Sequence, residues 1–230
     1  MLVLINKKYL FMRKHLFLIV IISIATAIPV QSQFQLGIKG GFHSTHFNTD
    51  NAWSILKNQE NYEFQNAKDD MKNGFTLGAY ARIGLIGGLS LQPELYYSEK
   101  SGATTYMFEE RVSPVNQSVT ENMKYYSWDI PILLRLKVID LKLLNLYALT
   151  GPVASFKAKD KSSFSDLNDE LNCNKLKSTN WNFQLGGGVE VWRLNLDVRY
   201  EWGMSDISKT ELIRKGNSLM FSLGFRLIGD

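Results

Sequence analysis

Cysteine is nearly absent from this sequence, since Cys173 is the only one among 230 residues. A single cysteine excludes an intrachain disulfide framework and a zinc site built on several thiolates. Histidine is also scarce, and His43 and His46 are the only two beyond the first 32 residues. No long amphipathic helix and no low-complexity stretch is evident, and 45% hydrophobic against 21% charged residues argues against a disordered chain.

The formal net charge of +4 arises entirely at the start of the chain. The first 32 residues contain Lys7, Lys8, Arg13 and Lys14 but no acidic residue, and the remaining basic and acidic residues balance. The pI near 9.0 is therefore no argument for nucleic-acid binding, and we expect no nucleic-acid partner.

Residues 1–32 have the layout of a secretory signal peptide. A basic stretch over 7–15 precedes an uncharged apolar run over 16–28, and Val30 and Ser32 are compact residues before a cut after Ser32. An apolar run of about 13 residues is short of the roughly 20 that a membrane-spanning helix needs. We predict that this signal is cleaved, that Met12 is the true start, and that residues 33–230 form the exported domain.

Apolar and polar residues alternate with period two through most of the exported part, which is typical of β-strands. Each alternating segment has about the length of a tilted membrane-spanning strand. We predict eight strands, over residues 34–43, 74–84, 89–98, 125–137, 145–156, 180–191, 194–204 and 217–227.

The connections between these segments alternate in length. Residues 44–73, 99–124, 157–179 and 205–216 are long and polar, whereas 85–88, 138–144 and 192–193 are short. This order predicts an all-β fold, an eight-stranded antiparallel up-and-down transmembrane β-barrel with long external loops and short periplasmic turns. Both chain ends then lie at the turn side.

Charged side chains fall on one face of the predicted strands only. A soluble, lipocalin-like barrel would show the same segregation with its apolar face inside. Glycine shares the charged face, as at Gly37, Gly186 and Gly224; it weakens a strand without benefit on a solvated face but suits a crowded lumen. We therefore predict that this face lines a side-chain-filled lumen with internal ion pairs, from Lys39, Arg82, Glu94, Asp129, Arg135, Lys137, Glu190, Asp197, Arg199, Glu201 and Arg226.

Aromatic residues fall on the opposite, apolar face and often near strand ends. Tryptophan and tyrosine prefer the headgroup level of a membrane, so this placement favours a lipid-facing wall. The residues expected there are Phe34, Phe42, Tyr97, Tyr126, Trp128, Tyr147, Trp181, Tyr200 and Trp202.

Four segments resemble motifs of a known family. They are LSLQPELYYS at 89–98, IPILLR at 130–135, YALTGP at 147–152 and LDVRYEWG at 196–203. Together, over roughly residues 33 to 230, they resemble the PorT-like outer-membrane β-barrel proteins. The resemblance implies a cell outer membrane location, no enzyme activity, and prolines within strands.

Candidates for chemistry are few. His43 and Ser44 are expected at the outer rim, where a site for modifying lipid A would lie. His43 and His46 offer two nitrogen ligands, but a metal site needs a third. We predict no catalytic residue, no metal site and no cofactor. The alternatives that stay open are a rim-active lipid A-modifying enzyme, a narrow pore, and a soluble secreted lipocalin-like ligand carrier.

The leading interpretation is a non-enzymatic outer-membrane barrel with a structural, binding or secretion-associated role. Its function is expected to reside in the external connections, chiefly 44–73 and 157–179. The expected partners are outer-membrane lipid and lipopolysaccharide, the barrel-assembly machinery during biogenesis, and an unidentified envelope protein. Such barrels usually end on an aromatic residue; here Phe225 or Leu227 is the candidate signal for assembly.

Overall fold

A computed structural model describes residues 34–50, 62–110, 116–141, 143–160, 177–207 and 213–229. These residues form eight strands and the short turns between them. The strands are β1 (Phe34–Asp50), β2 (Tyr62–Gly84), β3 (Leu89–Glu110), β4 (Asn116–Asp140), β5 (Leu144–Asp160), β6 (Thr179–Val191), β7 (Leu194–Gly203) and β8 (Ile213–Ile228). The predicted signal peptide and Cys173 lie outside the described residues, and no helix within them is long and apolar enough to cross a membrane.

Each strand pairs antiparallel with its neighbour in sequence, and β1 pairs with β8 to close the barrel. The closure is long, since it runs from Leu36 opposite Ile228 to Asp50 opposite Ile213. A closed ladder leaves no open sheet edge within the barrel wall, which is the condition for a β-structure in lipid. The predicted fold class is therefore confirmed.

Tight turns join the strands at the end where the chain enters and leaves the barrel. Gly87 and Gly88 adopt positive φ between β2 and β3, a conformation that glycine adopts without strain. Trp192 has a φ of 54° in the two-residue turn between β6 and β7, which is unusual for a bulky residue. Its ring packs edge-on against Phe225, with 6.5 Å between centroids.

The strands are longer than the alternation predicts. The predicted connection 99–124 is largely strand, because β3 continues to Glu110 and β4 begins at Asn116. Residues 44–50 and 62–73 of the predicted loop 44–73 also lie in strands, while 51–61 lie outside the described residues. Backbone hydrogen bonds hold these outer segments in register, and only a few of their apolar side chains, such as Phe47 and Met123, are buried, so the period-two signal is weak there.

The two faces of the wall follow the predicted segregation. Leu77, Leu196 and Phe221 are exposed on the outside, whereas Arg82, Glu94 and Arg199 are buried inside. Pro93, Pro131 and Pro152 lie within strands, as the family resemblance implies. The predicted orientation of the wall is therefore confirmed for most of its residues.

Two side chains depart from the predicted orientation. Tyr147 was expected toward lipid but is buried in the lumen, because β5 turns Tyr147, Leu149 and Val153 inward and the smaller Ala148 outward. Lys137 was expected in the lumen but is partly exposed at the turn side, where it pairs with Asp140. Lys137 lies at the turn-side end of the lumen, where the β4–β5 ladder shifts register between Lys137 and Ile139.

Candidate functional site

The middle of the lumen is filled by four charged side chains, which we call the central layer: Lys39, Glu94, Asp197 and Arg199. Arg199 contacts Glu94 through both terminal nitrogens, at 2.5 and 2.8 Å. It also donates to Asp197 at 2.8 Å, and Lys39 donates to Glu94 at 3.2 Å and to Asp197. Two acids and two bases in alternating contact leave this layer neutral.

Arg82, Arg135 and Glu190 form a second group nearer the short turns, the turn-side layer. Arg82 and Arg135 both reach Glu190 Oε2, at 2.9 and 2.7 Å. Arg135 also stacks over the ring of Tyr147, with 3.8 Å from the guanidinium carbon to the ring centroid. Sharing one carboxylate leaves an excess positive charge here, which this stacking helps to stabilise.

Lys100, Asp129 and Glu201 form the third group, the outer layer. Lys100 bridges Glu201 at 3.0 Å and Asp129 at 3.4 Å. Asn182 and Gln184 also donate to Glu201, at 2.8 and 2.6 Å. This layer has an excess negative charge, so the ten residues of the three layers are together neutral and pass from positive to negative along the barrel axis. Arg226, whose Nη1 lies 3.8 Å from Glu190 Oε1, adds a further positive charge at the turn side.

Lys100 belongs to this constellation although the sequence reasoning missed it. The sequence predicts a third strand that ends at Ser98 and a connection over 99–124 that contains Lys100. Extending the alternation of Glu94, Tyr96 and Ser98 by one step reaches Lys100, so the signal was present in the spacing.

An apolar cluster covers the lumen above the outer layer. Phe47, Met123, Tyr125 and Ile207 are all buried and in mutual contact. Ile207 belongs to the segment after β7, which Lys177 N–H fixes by donating to the Ile207 carbonyl at 2.8 Å. Below this cluster the lumen is packed to near-zero exposure at Arg135, Arg199 and Leu133. The apolar cluster and the packed side chains below it together fill the lumen.

The histidines do not form a rim site. His43 is buried on the lumen side of β1, with Nδ1 at 3.0 Å from Thr45 Oγ1, because β1 continues to Asp50 and the rim lies further out. His46 is half-exposed. Within the described ranges no group of three His, Cys, Asp or Glu residues is placed to hold a metal ion. The rim location expected for His43 is therefore wrong.

Beyond the barrel wall, three strands continue together as an external sheet: residues 62–71 of β2, 102–110 of β3 and 116–123 of β4. Ladder contacts join Met71 to Gly102 and Ala103 to Asn122. The pairing of β4 with β5 begins only at Tyr125, opposite Asp160. In the part of the chain that the structure describes, residues 116–123 thus pair on one side only.

Rings mark the two ends of the apolar wall. Trp128, Trp181 and Trp202 are exposed on the side nearer the external sheet, and Trp192 is exposed at the turn side. Tyr97 packs against Trp128 at 5.1 Å between centroids. Two aromatic levels bordering an apolar band, around a closed ladder with a charged interior, define a membrane-spanning β-barrel.

The family comparison agrees with this class. Residues 29–209 match the model of the outer membrane protein beta-barrel domain, which is more than half of the chain. The chain belongs to this family, and its location is accordingly the outer membrane. Among curated proteins compared by sequence, none matches the chain.

Solved structures of similar fold come from several bacteria. OprG from Pseudomonas aeruginosa is 12% identical with a TM-score of 0.47, covering 87% of this chain and 99% of that one. Ail of Yersinia pestis, solved in complex with the heparin analogue sucrose octasulfate, is 16% identical with a TM-score of 0.38, covering 85% and 99%. The translocator domain of NalP from Neisseria meningitidis is 12% identical with a TM-score of 0.27, covering 89% and 92%. Similarities at this level transfer no function to this chain.

Proposed function

We propose that this protein is a non-enzymatic outer-membrane binding protein whose external sheet captures an extended segment of an envelope or extracellular protein by strand addition. The observation that carries the proposal is the one-sided pairing of residues 116–123 of β4. A strand edge of this kind offers a row of backbone N–H and C=O groups to another chain.

The β4 edge suits a partner strand better than the β2 edge does. The β2–β3 ladder shifts register between Phe64 and Asn66 and again between Met71 and Thr76. Such bulges twist an edge and protect it from pairing. In contrast, the β3–β4 ladder runs without a shift from Lys100 opposite Tyr125 to Glu109 opposite Asn116. The regular edge is therefore the one we assign to the partner.

The packed lumen supports binding over transport. Ion pairs hold the side chains together within each of the three charged layers. The apolar cluster of Phe47, Met123, Tyr125 and Ile207 lies above these layers. An ion would have to break these contacts to pass. We expect a silent planar bilayer, and steps of conductance from purified protein would favour the narrow pore instead.

The burial of His43 supports a non-enzymatic role. Its ring lies among lumen side chains rather than at the membrane surface, where a lipid A substrate would reach it. Replacing His43 and His46 by alanine and profiling lipid A tests this directly. We expect unchanged lipid A, and a lost modification would favour the enzyme.

A proline scan over residues 118–123 tests the proposed edge. In an antiparallel strand, successive N–H groups point alternately toward and away from the paired neighbour. Proline at positions that face β3 should impair folding, whereas proline at the alternate positions should leave the barrel folded but block an added strand. Folding is measured by the heat-dependent gel mobility of the barrel.

Partner capture is measured with a photo-crosslinking residue in place of Thr120, and Ala158 on β5 is the matched control position. We expect an adduct in native envelopes at residue 120 that the folded proline variants lose. An adduct that persists in every folded proline variant, or an intramolecular link to residues 161–176, would overturn the proposal.

The proposal extends to the export, family membership, lipid contacts and assembly of the protein. We propose cleavage after Ser32, PorT-like ancestry within the family, contact with lipopolysaccharide around the wall, and Phe225 or Leu227 as the signal for the assembly machinery. Sequencing the mature N-terminus should give Gln33 first. A mature chain that retains residues 16–28 would contradict cleavage.

A further inference from the structure

A small polar cavity lies inside the outer half of the lumen. Its volume is about 20 Å³, and His43, Ser98, Lys100, Asp129 and Glu201 are among the residues that line it. One water molecule needs roughly 10–15 Å³ on this measure, so the space suits a single water-sized guest.

Two buried atoms at this cavity lack a hydrogen-bond partner among the described residues. They are Nε2 of His43 and Oδ1 of Asp129, and both residues are at least 95% buried. The neighbouring carboxylate of Glu201 is satisfied, since it accepts from Lys100, Asn182 and Gln184. An unpaired polar atom in such surroundings is costly, so a guest that pairs with both is favoured.

The chemistry of the two atoms selects the guest. Asp129 Oδ1 requires a donor. His43 Nδ1 shares its hydrogen bond with Thr45 Oγ1, so Nε2 is an acceptor if Nδ1 donates and a donor if Thr45 donates. Water satisfies either tautomer, whereas a cation requires a bare Nε2 and meets repulsion from the Lys100 ammonium group at the same cavity.

We propose that this cavity is a binding site for one ordered water molecule that donates to Asp129 Oδ1 and pairs with His43 Nε2. The water links β1 to β4 across the lumen and completes the outer layer. It is independent of the external sheet, so its test does not depend on the partner proposed above.

A crystal structure of the full exported chain at a resolution that shows ordered water tests the site. We expect one density peak within hydrogen-bond distance of both atoms. His43→Phe keeps an aromatic ring at this position but removes both ring nitrogens, Nε2 included, and we expect the peak to be lost. His46→Phe, the matched control on the same strand, should retain it.

Soaking crystals in rubidium chloride separates water from a cation. We expect no anomalous signal in the cavity; a rubidium peak there would overturn the proposal. A wild-type cavity without density, or a peak unchanged in His43→Phe, would overturn it as well. If the variant does not fold, the wild-type density and the rubidium soak still decide.

Discussion

β3 and β4 each have one half in the barrel wall, with side chains in the lumen, and one half in the external sheet. The two halves of each strand are stabilised differently. In the lumen, Glu94 and Asp129 are buried and held by cations from other strands. In the external sheet, Thr105 and Thr120 meet across an exposed pair at 3.1 Å, and the backbone ladder provides the order. The lumen therefore pairs its charges internally, whereas residues 116–123 of the external sheet pair on one side only among the residues that the structure describes.

This difference follows from what surrounds each half of the strand pair. Closed pairing on both sides is obligatory where the strand faces lipid, because an unsatisfied backbone group there is costly. Beyond the lipid, water is able to satisfy the backbone groups of a strand edge. The point where β5 begins to pair with β4, at Tyr125, separates the two regimes.

The largest expected effect comes from the centre of the lumen. Glu94→Gln keeps the shape but removes the charge that Lys39 and Arg199 share. In the variant, the buried cations of Lys39 and Arg199 have Asp197 as their only carboxylate in the central layer. The free energy of unfolding should therefore fall by about 3–5 kcal/mol. Urea unfolding in phospholipid vesicles, followed by tryptophan fluorescence, measures it.

The matched control is Glu99→Gln, five residues further along β3 on the outside, where its partner Lys124 is exposed. We expect a much smaller loss. Equal losses for the two variants would show that burial does not distinguish the lumen from the outer surface.

The membrane-spanning part of each strand was predictable because lipid on one side and a charged lumen on the other impose period two. Leu194 to Gly203 alternates strictly between exposed and buried as far as Trp202, and the predicted and observed strands differ there by one residue. The external extensions were not predictable in the same way. Residues 68–73 read Lys-Asp-Asp-Met-Lys-Asn, and with no buried face there is no alternation to detect.

The candidate site was predictable in its members but not in its contacts. Nine of the ten ion-paired residues in the three layers are among the lumen residues that the sequence predicts, and Lys100 is not, because the predicted strand ends two residues before it. Arg199 pairs with Glu94 rather than with Asp129. This choice depends on how the strands are staggered around the barrel, which the sequence alone does not specify. Tyr147 was misplaced because β5 has small residues outside and apolar ones inside, which reverses the usual contrast.

The second largest effect should come from the lipid-facing wall. Leu196 is exposed midway along β7, between Trp192 and Trp202. Leu196→Arg should lower the free energy of unfolding by about 2–4 kcal/mol, because a cation at this depth lies in hydrocarbon. Unfolding in vesicles again provides the measurement.

Met107→Arg is the control, since Met107 is also exposed but lies in the external sheet. We expect almost no change from it. A large loss at residue 107 would place the external sheet within lipid and erase the comparison.

A third prediction compares the inside and outside of one strand. A Cβ added at Gly37 would lie 2.5 Å from the Tyr80 ring, whereas one added at Gly40 would meet nothing closer than Leu77 Cδ1 at 3.5 Å. Gly37→Ala should destabilise by about 1–3 kcal/mol through overpacking. Gly40→Ala should be neutral or stabilise by about 0.5–1 kcal/mol, since alanine loses less entropy on folding. Equal effects in an unfolding titration would contradict a crowded lumen.

The smallest effect should come from a charged pair in the external sheet. Lys68 Nζ lies 3.6 Å from Asp70 Oδ1, with side chains 67% and 48% exposed, whereas Lys39 and Asp197 in the lumen are at most 1% exposed. Asp70→Asn should change the free energy of unfolding by no more than about 0.5 kcal/mol, because water already solvates both charges. The change should vanish in 1 M salt, where the screening length falls to about 3 Å. The loss from Glu94→Gln should persist there, because buried pairs are screened little, and titrations of both variants at low and high salt measure the contrast. If the Asp70→Asn variant lost stability equally in 1 M salt, the external sheet would bury its charges as the lumen does. The one-sided pairing of residues 116–123 would then need another explanation.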